Sequence, residues 1–296
     1  MPPNDRNTAM QTIDITCQDG TRLKGHFLPA HTGQQSATHD PVLLCPATGV
    51  KQHFYLRFAT WLAEQGHDVL VFDYRGIGLS LQGRLRDCRA TLAEWGQQDQ
   101  VAALDWLVRR TGREQVLLIG HSAGGQMMGL LPNHRHVSRV VGVATSTGWL
   151  SGMRTGFRLK AYFGLRMAVP IGALIKGYAP TAALGLGEDL PAQVGIQWGQ
   201  WCAAGGYATN AVKDKPQQDF HGDIRIPITV FHATDDDIAN PTTVADLMRT
   251  FPAARKQVRR IAPREHGLKS IGHIDWFRSS HQALWPLLAQ ALREPA

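Results

Sequence analysis

The stretch Val116-Leu117-Leu118-Ile119-Gly120-His121-Ser122-Ala123-Gly124-Gly125-Gln126-Met127-Met128 decides how the rest of the chain is read. Its first four residues are β-formers of the fully buried kind, and its last six open a helix of small residues. Between them stands Gly-x-Ser-x-Gly, which puts a serine at the apex of a strand–turn–helix unit. Glycines two residues to either side let the backbone turn tightly without a Cβ clash. The serine hydroxyl then stands clear of the sheet edge. The N–H that follows it belongs to a helix N-terminus, where negative charge is favoured.

Working outward, Thr12 to Cys17 alternates apolar and polar residues, Asp19-Gly20 follows, and Thr21 to Leu28 alternates again. That pattern predicts an antiparallel hairpin. Pro29 to Pro41 is polar and predicts a surface loop. Val42-Leu43-Leu44-Cys45 and Val69-Leu70-Val71-Phe72 are short apolar runs of buried-strand type. Phe54, Phe58 and Leu62 recur at helical spacing before Gly66, and Val101, Leu104, Leu107 and Val108 mark one face of a helix over Leu92 to Arg110. Downstream, Val140 to Val143, Ile228 to His232 and Lys256 to Ile261 are further strands. Asn240-Pro241 supplies an N-cap and a first-position proline for a helix through Phe251. Leu284 to Leu292 is the closing helix. Strands alternating with helices at this spacing predict an α/β fold: a mostly parallel central sheet flanked by helices.

From Thr145 to about Asp223 the rhythm breaks, over a length too great for an ordinary connection. The expected organisation is therefore a core of residues 1–144, an inserted and mainly helical cap over 145–223, and a second part of the core over 224–296. Trp198 and Trp201, three apart, would share a helix face in the cap, either as its core or as the lining of an acyl pocket.

Composition removes several classes of function. The formal charge is +7 over 296 residues, but the basic residues are dispersed. The clusters Arg84-Leu85-Arg86 and Arg255 to Arg260 lack interleaved aromatic residues, so they read as solvated faces and no nucleic-acid partner is expected. The thirteen histidines and four scattered cysteines show no metal-ligand spacing, and no metal or other cofactor is expected. Unpaired thiols point to the cytoplasm. Met1 to Arg6 lacks the layout of a secretory leader. No stretch reaches the roughly 18 uninterrupted apolar residues of a spanning helix, so stable membrane insertion is not expected. The nearest approach is Met167 to Ile175, interrupted by Pro170. Arg75-Gly76-Ile77-Gly78 follows a strand but lacks the third glycine and the immediate helix of a dinucleotide site.

A serine hydroxyl attacks only when a positioned base takes its proton and a third group holds that base. For Ser122 the base is expected at His273, after a glycine and ahead of the last helix, with His266 as the alternative. The acid is expected among Asp235-Asp236-Asp237, with Asp236 preferred to Asp235; consecutive aspartates before a helix also serve as caps. Two backbone donors are needed for a developing oxyanion. Ala123 supplies one, and Thr48, or else Gly49, supplies the other from the turn after the Val42–Cys45 strand. Cys45, beside Pro46, reads as packing.

These residues resemble the α/β-hydrolase superfamily over nearly the whole chain. Gly120-His121-Ser122-Ala123-Gly124 is similar to its nucleophile elbow, and Asp73-Tyr74-Arg75-Gly76-Ile77-Gly78-Leu79-Ser80 to its Asp-x-Arg-Gly-x-Gly-x-Ser signature. His232 to Pro241 resembles its acid loop with one extra residue before the proline, and Gly272-His273 its terminal histidine. The nearest branch is that of serine aminopeptidase-like and monoacylglycerol lipase-like hydrolases; the turn Pro46-Ala47-Thr48-Gly49-Val50 departs from the His-Gly turn usual there. The resemblance implies an α/β-hydrolase fold and a serine hydrolase that cleaves carboxylic esters or thioesters of a small-molecule acyl substrate. The alternatives are an acyltransferase or aminopeptidase using the same triad, and a non-catalytic binding protein on the same scaffold. Neither the natural substrate nor the oligomeric state follows from the sequence.

Overall fold

The computed structural model describes residues 9–30 and 39–294. Asp19-Gly20 turns the chain as expected: β1 (Gln11–Thr16) and β2 (Arg22–Leu28) pair antiparallel. The loop read over Pro29 to Pro41 lies mostly outside the described residues, as do Met1 to Arg6. β3 (Val42–Cys45) and β4 (Val69–Phe72) are buried at every position, and α1 (Leu56–Glu64) runs between them. The helix predicted over Leu92 to Arg110 forms in three windings: α2 (Leu92–Glu94), a wider winding over Trp95–Gln100, and α3 (Val101–Thr111). In the wide winding Trp95 stacks on Tyr74 at 4.5 Å and buried Asp99 accepts from Arg75, so both grip the loop after β4.

β5 (Val116–His121) leads to α4 (Ala123–Gln126) and on to β6 (Val137–Val143). The helix after the serine is shorter than its sequence suggests, giving way to a tight turn at Met128–Leu130. After β6 come α5 (Thr155–Phe163), a wide winding over Gly164–Ala168, and α6 (Val169–Lys176). A small ladder of β7 (Tyr178–Ala179) and β8 (Leu190–Pro191) follows, then α7 (Ala192–Ala204). The core resumes with β9 (Pro227–Ala233), α8 (Pro241–Thr250), β10 (Arg255–Ile261) and α9 (Trp285–Arg293). Asn240 caps α8 through its side chain, which accepts from the N–H groups of Thr242 and Thr243.

The eight-stranded sheet has the order β1-β2-β4-β3-β5-β6-β9-β10 and is parallel from β4 to β10. The order reverses at β3, whose successor β4 lies on one side and β5 on the other. In such sheets the crevice at the reversal, beyond the carboxyl ends of the strands, is where sites are built. β10 closes one end and exposes Arg255, Lys256 and Arg260 along its length.

At the elbow the glycines and the serine divide the work differently from the expectation. Ser122 itself takes the left-handed backbone, φ 48° and ψ −118°. Gly120 and Gly124 are needed for close approach instead: a Cβ on Gly124 would stand 2.1 Å from the Cys45 carbonyl oxygen, and one on Gly120 2.2 Å from the Gly125 Cα. Gly124→Ala is therefore expected to destabilise the fold by about 3 kcal/mol through overpacking against backbone that cannot yield. Gly156→Ala, in α5 with open space around it, is expected to be neutral or to stabilise by about 0.5 kcal/mol. Urea unfolding of the two variants checks the contrast.

Candidate active site

The sheet register brings four loops together. Cys45 lies opposite Gly120, so the turn after β3 and the elbow after β5 are neighbours. Val143 of β6 lies opposite Phe231 of β9, and Ala233 opposite Ile261 of β10, which carries the acid loop and the histidine loop to the same edge. There His273 Nε2 lies 2.8 Å from Ser122 Oγ, and His273 Nδ1 lies 2.8 Å from Asp236 Oδ2. A carboxylate can only accept, so Nδ1 carries the proton and Nε2 is free to accept from the serine hydroxyl.

The three consecutive aspartates do three different things. Asp236 is buried, and its other oxygen accepts from the N–H groups of Ile238 and Ala239 at 2.7 and 2.9 Å. Burial alone would raise its carboxyl, but His273 and these two donors outweigh burial and hold it below the ordinary carboxylate value. Asp235 does not reach the histidine ring; it accepts from the N–H groups of Ile271 and Gly272 and thereby fastens the loop that presents His273. Asp237 pairs with Arg154, just ahead of α5. His266 lies in a turn after β10 and makes none of these bonds.

Two residues that sequence reasoning passed over tie the site together. Tyr55 Oη accepts from the Ala47 N–H at 2.9 Å and lies 2.8 Å from His121 Nδ1. His121 Nε2 lies 2.9 Å from the carbonyl of His273. A carbonyl only accepts, so His121 carries its proton on Nε2, and Tyr55 donates to Nδ1. Burial first, and then the neighbouring His273, hold the His121 imidazole down to about 3. The neutral ring thus links the turn after β3, the elbow and the histidine loop. In the turn after β3, the Ala47 N–H is occupied by Tyr55, while Thr48 lines the cavity beside Ser122 and Gly49 does not.

That cavity has a volume of about 360 Å³ and ends on Ser122 and His273. Met153, Phe157, Ala161 and Leu165 wall one side, with Leu186, Trp198 and Ile238 also facing it. The two tryptophans part company: Trp198 lines the cavity, whereas Trp201 is buried edge-on against Tyr207. Thr48, Gln126 and Tyr207 are buried polar side chains of the wall, the Tyr207 hydroxyl lying against Thr48 without a full hydrogen bond. The Arg75 loop is structural, its guanidinium held by Asp99, Asp19 and Glu94. All four cysteines are unpaired; burial pushes the Cys202 thiol up to about 12, and Cys45 higher still. Among the described residues no cluster of histidine, cysteine and carboxylate side chains is suited to a metal ion, and no helix is long and apolar enough to cross a membrane.

Residues 42–291 match the profile of the alpha/beta hydrolase family, and the chain belongs to that family. Solved structures agree in fold. An esterase of Pyrococcus furiosus, Pf2001, superposes with a TM-score of 0.61 at 13% identity, covering 99% of this chain and 94% of its own. A soluble variant of the monoglyceride lipase of Saccharomyces cerevisiae does so with a TM-score of 0.58 at 16% identity over 99% of both chains. An esterase from Exiguobacterium antarcticum gives 0.60 at 15% identity over 96% of this chain and all of its own. In sequence, uncharacterized protein YfhR of Escherichia coli is 27% identical over 118 residues. That match spans 39% of this chain and 39% of the length of YfhR.

The neutral state of His121 has a pH signature. Its pKa in the folded chain lies below the unfolded value near 6.5, so the unfolded chain takes up the proton first, and stability falls as pH drops from 6.5 toward 3. Between pH 6.5 and 5 this group is expected to cost about 2 kcal/mol. Gln at position 121 retains one acceptor and one donor without titrating. Denaturant unfolding at the two pH values should show His121→Gln losing about 2 kcal/mol less than the parent; equal losses would refute the assignment.

Proposed function

We propose that this chain is a serine hydrolase that cleaves carboxylic esters or thioesters of a small-molecule acyl substrate through a covalent acyl-enzyme. The observation that carries this reading is the continuous set of bonds from Ser122 Oγ through His273 to Asp236, opening on an apolar cavity. Ser122 Oγ attacks the acyl carbon while His273 Nε2 takes its proton. The imidazolium that forms is stabilised by Asp236, which stays ionised, as its lowered pKa favours. The N–H groups of Ala123, at the start of α4, and of Thr48 receive the developing oxyanion. His273 then returns the proton to the leaving alcohol or thiol, and a water activated by the same ring releases the acid.

The cavity wall supports an apolar acyl group as the substrate's recognised part, since its side chains are mostly aliphatic and aromatic. Most of that wall comes from residues 145–223, which we propose as the cap that sets specificity on the two-part core. The unpaired cysteines support a cytoplasmic location. No nucleic acid or cofactor enters this mechanism.

Ser122→Ala is expected to lower kcat for a soluble p-nitrophenyl ester by about 10⁴-fold or more with the fold intact. Asp236→Asn is expected to lower it by about 10⁴-fold through the wrong histidine tautomer, and Asp235→Asn by about tenfold or less. Steady-state kinetics on the three variants, with circular dichroism for folding, checks the order; undiminished turnover by Ser122→Ala would remove the assignment.

A further inference from the structure

α5, the winding over Gly164–Ala168 and α6 form one helical rod with two apolar faces. The inward face is narrow: Phe157, Ala161 and Leu165 line the cavity, and Val169 and Ala173 are buried beyond them. An ordinary surface helix is polar on its other side. This one instead exposes Leu159, Tyr162, Phe163 and Met167 on its first half. On the second half it exposes Ile171, Leu174 and Ile175, the last two by 86% and 76%. These seven make up most of the eleven large apolar side chains that are exposed among the described residues, so the patch is concentrated on one element. Exposed cations Arg158, Lys160, Arg166 and Lys176 are interspersed with them, and no acidic residue occurs between Glu114 and Glu188.

We propose that this outer face docks on the surface of an anionic lipid bilayer. The apolar chains enter the boundary between headgroups and acyl chains, and the four cations meet lipid phosphates, the combination that holds an amphipathic helix in an interface. The rod lies on the bilayer and does not cross it. A second copy of the chain is a poorer occupant, because a two-fold contact would press the same cations against each other with no acidic side chain on the rod to receive them. Docking is independent of the hydrolase reading. One consequence rests on that reading: the helix that touches the bilayer also walls the acyl cavity, which would bring Ser122 to the phase in which apolar acyl substrates dissolve.

The full chain and its Ile171→Glu/Leu174→Glu/Ile175→Glu variant are sedimented with phosphatidylglycerol–phosphatidylcholine vesicles and with phosphatidylcholine vesicles, at low and high salt. Soluble-ester hydrolysis and sedimentation velocity are run alongside. The parent is expected to bind the anionic vesicles, about tenfold more weakly at high salt or on phosphatidylcholine, and the variant about tenfold or more weakly than the parent. Soluble-ester hydrolysis should be the same in both. Failure of the parent to bind anionic vesicles, or equal binding by the variant, overturns the proposal. So does a concentration-dependent dimer of the parent that the variant abolishes, since a second copy would then cover the face. Loss of ester cleavage in the parent would count against the hydrolase reading and leave the vesicle result standing.

Discussion

The backbone of Ser122 is held in a region that side chains other than glycine rarely occupy, a strain on the order of 1–3 kcal/mol. Several elements keep it there. Its N–H donates to Val143 of β6, its carbonyl accepts from Gly125, and Thr145 fixes the carbonyl of Gly120 just upstream. Gln100, in the wide winding ahead of α3, donates to the carbonyl of Gly124 and to Tyr74. The helix start then lies hard against the end of β3, at a distance that only a residue without Cβ permits. Remove that closeness and the turn after β3 no longer borders the serine.

The two histidines beside the serine meet different partners. His273 faces both a hydroxyl and an ionised carboxylate. His121 sits immediately before Ser122 and is fully buried, with a hydroxyl on one nitrogen and a carbonyl on the other. In that pocket the neutral ring is favoured, because a charged one would lose its water with no anion in hydrogen-bond contact. A neutral ring with a defined tautomer is a rigid strut, and this one spans the loops after β3, β5 and β10.

Much of the frame is written locally. Asp19-Gly20 between alternating runs, the apolar strands, and Asn240-Pro241 ahead of a helix each carry their signal within a few residues, and each forms where expected. Ser122, His273 and Asp236 could be proposed for the same reason, since all three follow strands. What was not legible depends on contacts between distant segments. Tyr55 is one aromatic among several in the sequence, and only the fold aims its hydroxyl at both Ala47 and His121. The division of labour among Asp235, Asp236 and Asp237 is invisible in three identical letters; it is decided by what each faces, two N–H groups, an imidazole or an arginine. Trp198 and Trp201 separate because one meets a cavity and the other meets Tyr207. The outward face of the rod from Thr155 to Lys176 was foreshadowed only by its composition, since hydropathy does not say which side of a helix is covered.

The sheet's last strand carries part of the chain's excess positive charge. An unpaired edge offers a row of free backbone groups to any extended chain nearby, and proteins that leave such an edge bare tend to add strands from their neighbours. On β10 the basic side chains of Arg255, Lys256 and Arg260 are exposed, and that of Arg259 is half-buried. A second β10 approaching it would bring like charges within a few ångströms, while a lone acidic partner, Glu294, already belongs to Arg259 of the same chain. Like charge along an edge strand opposes its pairing with a second copy of itself, so this basic run works against strand addition at the end of the sheet.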